Sequence, residues 1–291
     1  MRSDGRLTSS SIYPSTMLMT SKNDKAAVSV IALHCSGSGA NQWRPLRETL
    51  ASMNPHHEFF APEHYGCDGV GPWSGERAFT LADEAARTVE IIDRRPGQVH
   101  LVGHSYGGGV ALRAALERPR HVASITLYEP SAFNLLKGMG ADGAREFAEI
   151  LAIASRTAEG VVAGDLLGAA TAFVDYWGGE GAFSALRPSV QAMLTRWVPK
   201  APLDFRALIH EPTLPSAYAK LRIPTLVMRG EHAPPPTRLI AEILSTLMPV
   251  AQLVTVPEAG HMGPLTHADA VNAAIARHIA QCGEALESLA E

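Results

Sequence analysis

The sequence predicts an α/β fold, a mostly parallel central sheet flanked by helices, and three observations lead there. Strand-length apolar runs alternate with helix-period segments along most of the chain. A serine between glycines, in Gly103-His104-Ser105-Tyr106-Gly107, stands where a strand pattern passes into a helix pattern. Residues 131–219 are Ala-rich and helical in pattern without a clear buried strand, which reads as an insertion after one strand.

The elements follow in order. Val28-Ser29-Val30-Ile31-Ala32-Leu33 reads as a buried strand that ends in the loop Ser36-Gly37-Ser38-Gly39, and Lys22-Asn23-Asp24-Lys25 reads as the turn before it. Trp43, Leu46, Leu50 and Met53 recur at helical spacing. A second strand is expected around Glu58 to Pro62, then a Gly- and Pro-rich loop from Tyr65 to Gly75. Thr80 and Asp83 have capping-box spacing ahead of the apolar face Leu81, Ala85, Val89 and Ile92, and Pro96-Gly97 closes that helix. Val99 to Val102 is a strand, followed by the serine turn and a helix running to about Arg118, where Pro119 stops it. Ala123 to Tyr128 is the next strand. After the insertion, strands resume at Thr225 to Met228 and Gln252 to Val256, each leading into a helix, Arg238 to Leu247 and Asp269 to Gln281. The expected division is an N-terminal arm over 1–20, a core over 21–130 and 220–291, and a helical cap over 131–219.

Composition narrows the function classes. The 291 residues carry 25 Lys and Arg against 29 Asp and Glu, and 46% are hydrophobic, enough for one sizeable core. A net charge of −4, with no basic run interleaved with aromatics, speaks against nucleic acid as a partner. No stretch approaches the roughly 20 apolar residues that span a bilayer, so no membrane role is expected. Met1 to Thr20 carries Arg2 and Arg6, but Tyr13-Pro14-Ser15-Thr16 interrupts any apolar core, so it does not read as a secretory signal. Cys35, Cys67 and Cys282 are odd in number and lack metal-ligand spacing, so a reducing cytoplasm and no metal are expected. Nothing in the sequence sets an oligomeric state.

The Gly-x-Ser-x-Gly string between strand and helix has a physical reason. A serine on so sharp a turn needs small residues on either side, here Gly103 and Gly107, where a side chain would obstruct the turn, so Ser105 is the candidate nucleophile. Here the chain resembles the α/β-hydrolase fold family over roughly residues 20 to 285. The resemblance is carried by His34-Cys35-Ser36-Gly37 after a strand, by the serine turn, by the helical insertion, and by Gly260-His261-Met262-Gly263 near the end. It implies a serine hydrolase with a cap over its site, needing no cofactor and acting on a small molecule.

A serine hydroxyl needs a general base and a group that orients that base. The family places its histidine last, in the loop that here holds Glu258-Ala259-Gly260-His261, which makes His261 the base. His56 and His57 read as turn surface, His278 as part of the terminal helix, and His267 as too late in the loop. The resemblance gives His34 a bracing role in its loop. It implies oxyanion donors at the N–H groups of Ser36 and Tyr106. Cys35 stands where the family usually has glycine and reads as buried packing.

The acid departs from the family pattern. Gly230-Glu231-His232-Ala233 has alanine where the family commonly has aspartate. Some members take the acid from the end of the strand before the cap, and Glu129 in Tyr128-Glu129-Pro130 holds that position. Glu231 is the second choice, with Asp175 and Glu258 behind it. The substrate pocket is expected among Trp73, Phe133, Phe173, Tyr176, Trp177 and Trp197, although aromatics at helical spacing are more often core.

The expected activity is hydrolysis of a small carboxylic ester by Ser105, His261 and Glu129. A carbon–carbon bond hydrolase of ring-cleavage products is the alternative, since Ser36-Gly37-Ser38-Gly39-Ala40 is similar to the loop of those enzymes. Against it, His104 replaces the asparagine that commonly precedes their serine. A perhydrolase on the same fold is a further option, and a non-catalytic ligand receptor is the alternative from another class. Dehalogenases and epoxide hydrolases of the family need a carboxylate nucleophile, which Ser105 does not supply.

Overall fold

The structure, a computed structural model, describes residues 28–67 and 69–290, with side chains through Gly283. The N-terminal arm, the turn at 22–25 and the leader reading of Met1 to Thr20 lie outside the described residues.

The chain runs β1 (Ser29–Leu33), α1 (Arg44–Met53), β2 (Glu58–Phe60), α2 (Leu81–Asp93), β3 (Val99–His104), α3 (Tyr106–Glu117) and β4 (Val122–Tyr128). A helical segment follows: α4 (Gly140–Val162), α5 (Leu166–Gly178), α6 (Ala182–Ala185), α7 (Pro188–Trp197), α8 (Ala201–Ile209) and α9 (Pro215–Tyr218). The order then resumes with β5 (Thr225–Gly230), α10 (Pro235–Leu247), β6 (Ala251–Val256), α11 (Gly263–Thr266) and α12 (Ala268–Ala290). All strand pairs are parallel, in the order β2-β1-β3-β4-β5-β6. The α/β fold class read from the sequence is the one observed.

The sheet is covered on both faces, which is why β1, β3 and β4 read as nearly continuous apolar runs rather than alternating ones. Alternation still sorts the side chains. Val30 and Ala32 join Leu46 and Leu50 of α1 and Val271, Ile275 and Ile279 of α12. Ile31 and Leu33 face the opposite core with α2, α3, α10 and the helical segment. Met53, expected on the buried face of α1, is 50% exposed, because the helix ends there at Asn54. Strand β2 stops at Phe60, before the position where Pro62 would lack a ladder N–H. The Thr80 and Asp83 box caps α2 in both directions, Thr80 Oγ1 accepting from Asp83 N–H and Asp83 Oδ2 from Thr80 N–H. Among the described residues no helix is long and apolar enough to cross a membrane.

Strand order also locates the site. The chain leaves β1 for β2 on one side and returns to β3 on the other, so the loops after β1 and β3 diverge from a shared crevice. Open α/β sheets bind ligands at such a switch point, beyond the carboxyl ends of the strands. Cys35 to Gly39 and Ser105 lie at those two ends.

One buried group in β3 makes stability pH-dependent. His100 is 1% exposed, paired with Ser124 Oγ at 2.7 Å, and burial pushes its pKa down to about 4. An unfolded histidine titrates near 6.5. The unfolded chain therefore takes up a proton that the folded one refuses, and this contribution is lost as pH falls from about 6.5 towards 4. Urea titrations should show about 2 kcal/mol less stability from this residue at pH 5 than at pH 7. His100→Gln should flatten that slope; an unchanged slope would place the acid sensitivity elsewhere.

Candidate active site

Ser105 joins β3 to α3 with φ 54° and ψ −118°, a conformation unfavourable for a residue with a side chain. The positions two residues away on either side are closed to side chains. A Cβ at Gly103 would stand 2.5 Å from the Gly107 carbonyl oxygen, and one at Gly107 would stand 2.3 Å from that of Leu33. The turn is stapled to the end of β4, with Ser105 N–H donating to Tyr128 O and Ser131 N–H donating to Ser105 O. Among the described residues, the non-glycine positions with positive φ are Ser105, Glu129 and Glu258. All three lie on loops converging on this corner, where strain is characteristic of a functional site.

His261, between β6 and α11, bridges two of the expected residues. Its Nε2 lies 2.9 Å from Ser105 Oγ, and its Nδ1 lies 2.7 Å from Glu129 Oε2. A carboxylate only accepts, so Nδ1 carries the proton and Nε2 offers its lone pair to the serine hydroxyl. Glu129 is fully buried and held by further donors: Gly230 N–H to Oε1 at 2.9 Å and Thr237 Oγ1–H to Oε2 at 2.8 Å. Glu231 does not approach His261. It is exposed and accepts the N–H of Glu258, also exposed, bracing the loop that leads to the histidine. Asp175 instead accepts the N–H of Phe183, and Ala233 is buried with nothing to offer an imidazole.

Two side chains that sequence reasoning passed over steady the His261 loop. Tyr128 donates its hydroxyl to Gly260 O, and His104 lies 2.8 Å from His261 O through Nε2. The tautomer of His104 follows from its neighbours. Cys35 N–H can only donate, so it takes Gln42 Oε1 at 3.1 Å and turns the amide nitrogen towards His104 Nδ1, also at 3.1 Å. His104 is then an Nε2–H donor to the His261 carbonyl, and burial drives its pKa well below the ordinary value, keeping it neutral. His104 lay inside the motif, but nothing in the sequence pointed to Gln42.

A small cavity of about 20 Å³, room for little more than one water, opens over Ser105. Phe133, Phe173, Trp177, Phe205 and Leu208 make its apolar walls, and Ser36, Tyr106, Ser131 and Asp204 supply polar edges. Three of the six expected aromatics are there, and the Trp177 ring lies 4.5 Å from that of His261. The other three are placed elsewhere. Trp73 packs on Tyr65 and Phe79, Tyr176 donates to Glu149, and Trp197 backs Phe173 from behind. Their spacing carried no information on which side of a helix would face the cavity. Ser131, whose hydroxyl lies 3.2 Å from Ser105 Oγ, was not anticipated, nor were Asp204, Phe205 and Leu208.

Ser36 and Tyr106 border the cavity on the Ser105 side. Tyr106 is the first residue of α3, so its N–H has no carbonyl one turn back. Ser36 is the second residue of a turn closed by Ser38 N–H on Cys35 O, with Gly37 at φ 69° in third place, which leaves the Ser36 N–H outside the turn's own hydrogen bond. His34 braces this loop, its Nδ1 2.9 Å from Cys35 O and its Nε2 3.1 Å from Glu63. That approach holds the Glu63 carboxyl down at about 2, while burial lowers His34. Cys35 is buried packing, its thiol pushed up to about 12 by desolvation. His34, Glu63 and Cys67 bring ligand types for a divalent metal within 4.8 Å of one another, and Glu231, His232 and Glu258 form an exposed group of the same kind.

Residues 30–274 match the profile of the alpha/beta hydrolase family. The chain belongs to that family. The chain is 27% identical over 253 residues to a pimeloyl-acyl-carrier-protein methyl ester esterase of Edwardsiella ictaluri, covering 84% of this chain and 91% of the esterase. Over 92 residues it is 35% identical to RutD of Variovorax paradoxus, named as a carbamate hydrolase; there the chain spans about a third of the relative's length, 34%. The fold is shared with the enol-lactonase of Burkholderia xenovorans LB400, at a TM-score of 0.66 and 17% identity over 88% of this chain and 92% of that one. It is shared equally with MGS-M2, an alpha/beta hydrolase from a deep-sea metagenome library, at a TM-score of 0.72 and 13% identity over 88% and 90%.

Proposed function

We propose that the hydrolase cleaves small carboxylic esters through an acyl-enzyme on Ser105. The observation carrying this reading is the unbroken chain from Ser105 Oγ to His261 to a fully buried Glu129, at 2.9 and 2.7 Å. Ser105 Oγ attacks the ester carbonyl as its proton passes to His261 Nε2. The resulting oxyanion is held by the N–H groups of Ser36 and Tyr106, which cost no reorganisation because their loops are already braced. Collapse breaks the C–O bond, and the alcohol leaves with the proton from His261. Water then gives a proton to His261 and attacks the acyl carbon, releasing the acid and restoring the serine hydroxyl. Glu129 holds the imidazole in its Nδ1–H tautomer and stabilises the imidazolium formed in each half-reaction.

Residues 131–219 act as a cap that selects the acyl group. The walls from this segment are mostly apolar, with Ser131 and Asp204 as the polar exceptions, and the cavity is small, so an uncharged, short acyl chain suits it. Similarity to a methyl ester esterase along most of both chains supports an ester rather than a carbon–carbon bond as the target. All three thiols are free, which suits the reducing cytoplasm.

A panel of p-nitrophenyl esters of graded acyl length tests this reading. Turnover is expected to be highest for the shorter acyl chains and to fall as the chain lengthens. Phe173→Ala, by enlarging the cavity, should move the peak to longer chains with little change for the acetate. Absence of turnover across the panel, with no labelling by a fluorophosphonate, would turn the reading towards a ligand receptor on this fold.

A further inference from the structure

Both residues assigned as oxyanion donors are tied by their side chains to one buried ion cluster. Ser36 donates its hydroxyl to Asp204 Oδ2 at 2.6 Å, and Tyr106 donates its hydroxyl to Glu84 Oε2 at 2.9 Å. Lys200 joins the two acids, donating to Glu84 Oε2 at 3.0 Å and to Asp204 Oδ1. All three charged side chains are nearly inaccessible, at 6% for Lys200 and Asp204 and 0% for Glu84. Burial works against the ammonium, yet Asp204 and Glu84 outweigh it and hold Lys200 above its ordinary value, so it is charged. Its nitrogen also lies 4.6 Å from the Phe79 ring centre and 5.0 Å from that of Tyr106. Gly66 makes room for the stem, since a Cβ there would stand 3.1 Å from Lys200 Cγ.

The origin of these groups matters. Ser36, Tyr106 and Glu84 belong to the loop after β1, to α3 and to α2, whereas Lys200 and Asp204 come from the turn before α8 and from α8. We infer that Lys200 is a positioning residue, through which the docked helical segment holds the Ser36 and Tyr106 amides in the geometry of the transition state. The inference rests on the proposed role of Ser36 and Tyr106 as oxyanion donors. Hydrogen-bond donors aimed at a developing charge are effective only when prearranged, and displacements near an ångström cost large factors in rate. A segment that undocks would release the Ser36 tether to Asp204 and leave Glu84, the acceptor for Tyr106, without its Lys200 partner.

The test compares steady-state kinetics of p-nitrophenyl acetate for the full chain and its Lys200→Met, Lys200→Arg, Ser36→Ala and Tyr106→Phe variants, each checked for native circular dichroism. Lys200→Met should lower kcat by about 10- to 100-fold with KM within about 2-fold, and Lys200→Arg should recover part of the loss. Ser36→Ala and Tyr106→Phe keep their amides and the ion cluster, so they remain informative if Lys200→Met fails to fold. Each should lower kcat by about 3- to 10-fold. A boronic acid inhibitor, which forms a tetrahedral adduct on Ser105, should lose affinity by the same factor as kcat/KM. Unchanged kcat for the acetate in the folded variants, or a loss confined to KM, would overturn the inference while leaving the ester-hydrolase reading intact. A wild-type chain that turns over no ester would overturn both.

Discussion

Ser105→Ala is expected to abolish ester turnover and fluorophosphonate labelling together, while the protein unfolds at an unchanged urea midpoint. The size follows from the role: removal of a serine nucleophile costs on the order of 10⁶ in kcat in a well-studied serine hydrolase. Stability should barely move, because the hydroxyl is one partially paired group facing a cavity. Alanine also bears the φ of 54° no worse than serine does. The residual rate would come from binding and from donors aimed at the oxyanion, and labelling at full stoichiometry in the variant would move the nucleophile elsewhere. Ser131 is then the residue to examine, its hydroxyl standing 3.2 Å from that of Ser105.

The second large effect belongs to Glu129→Gln. The carboxylate accepts from His261 Nδ1, from Gly230 N–H and from Thr237, all at 2.7 to 2.9 Å. An amide of the same shape has one accepting atom in place of two. It can present an N–H to Nδ1, which favours the wrong tautomer, and it carries no charge to stabilise imidazolium. A fall in kcat of about two to four orders of magnitude is expected. Glu231→Gln should change kcat little, since its carboxylate serves only the Glu258 amide on the surface. If the two variants lost activity equally, the loop before His261 rather than the buried acid would control the rate. Full activity in Glu129→Gln would leave Ser105 and His261 as a pair without an orienting acid.

Much of this was legible in one dimension because the relevant constraints are local. Glycines at 103 and 107 report a turn that excludes side chains at both positions. Proline at 119, the Thr80 and Asp83 box and the apolar runs of β1, β3 and β4 each report their own element. Against the pattern of the family that the chain resembles, alanine at position 233 stood where an aspartate is common, and that resemblance directed attention to Glu129 at the end of the neighbouring strand. Exposure was less readable: Met53 fits the helical period of Leu46 and Leu50 yet faces solvent at the end of its helix.

By itself the sequence determined the parallel α/β order, the serine turn and a helical segment between β4 and β5, since each follows from period, turn chemistry or spacing within a few tens of residues, and the resemblance to the family added the late histidine loop. Only the tertiary structure decided which aromatic rings meet the cavity, that Gln42 and His104 link the loop after β1 to the backbone of His261, and that Lys200 binds Glu84 across 116 residues. Those contacts depend on how helices rotate and dock against the sheet. That choice is made by the summed packing of both cores, and no short stretch of sequence carries it.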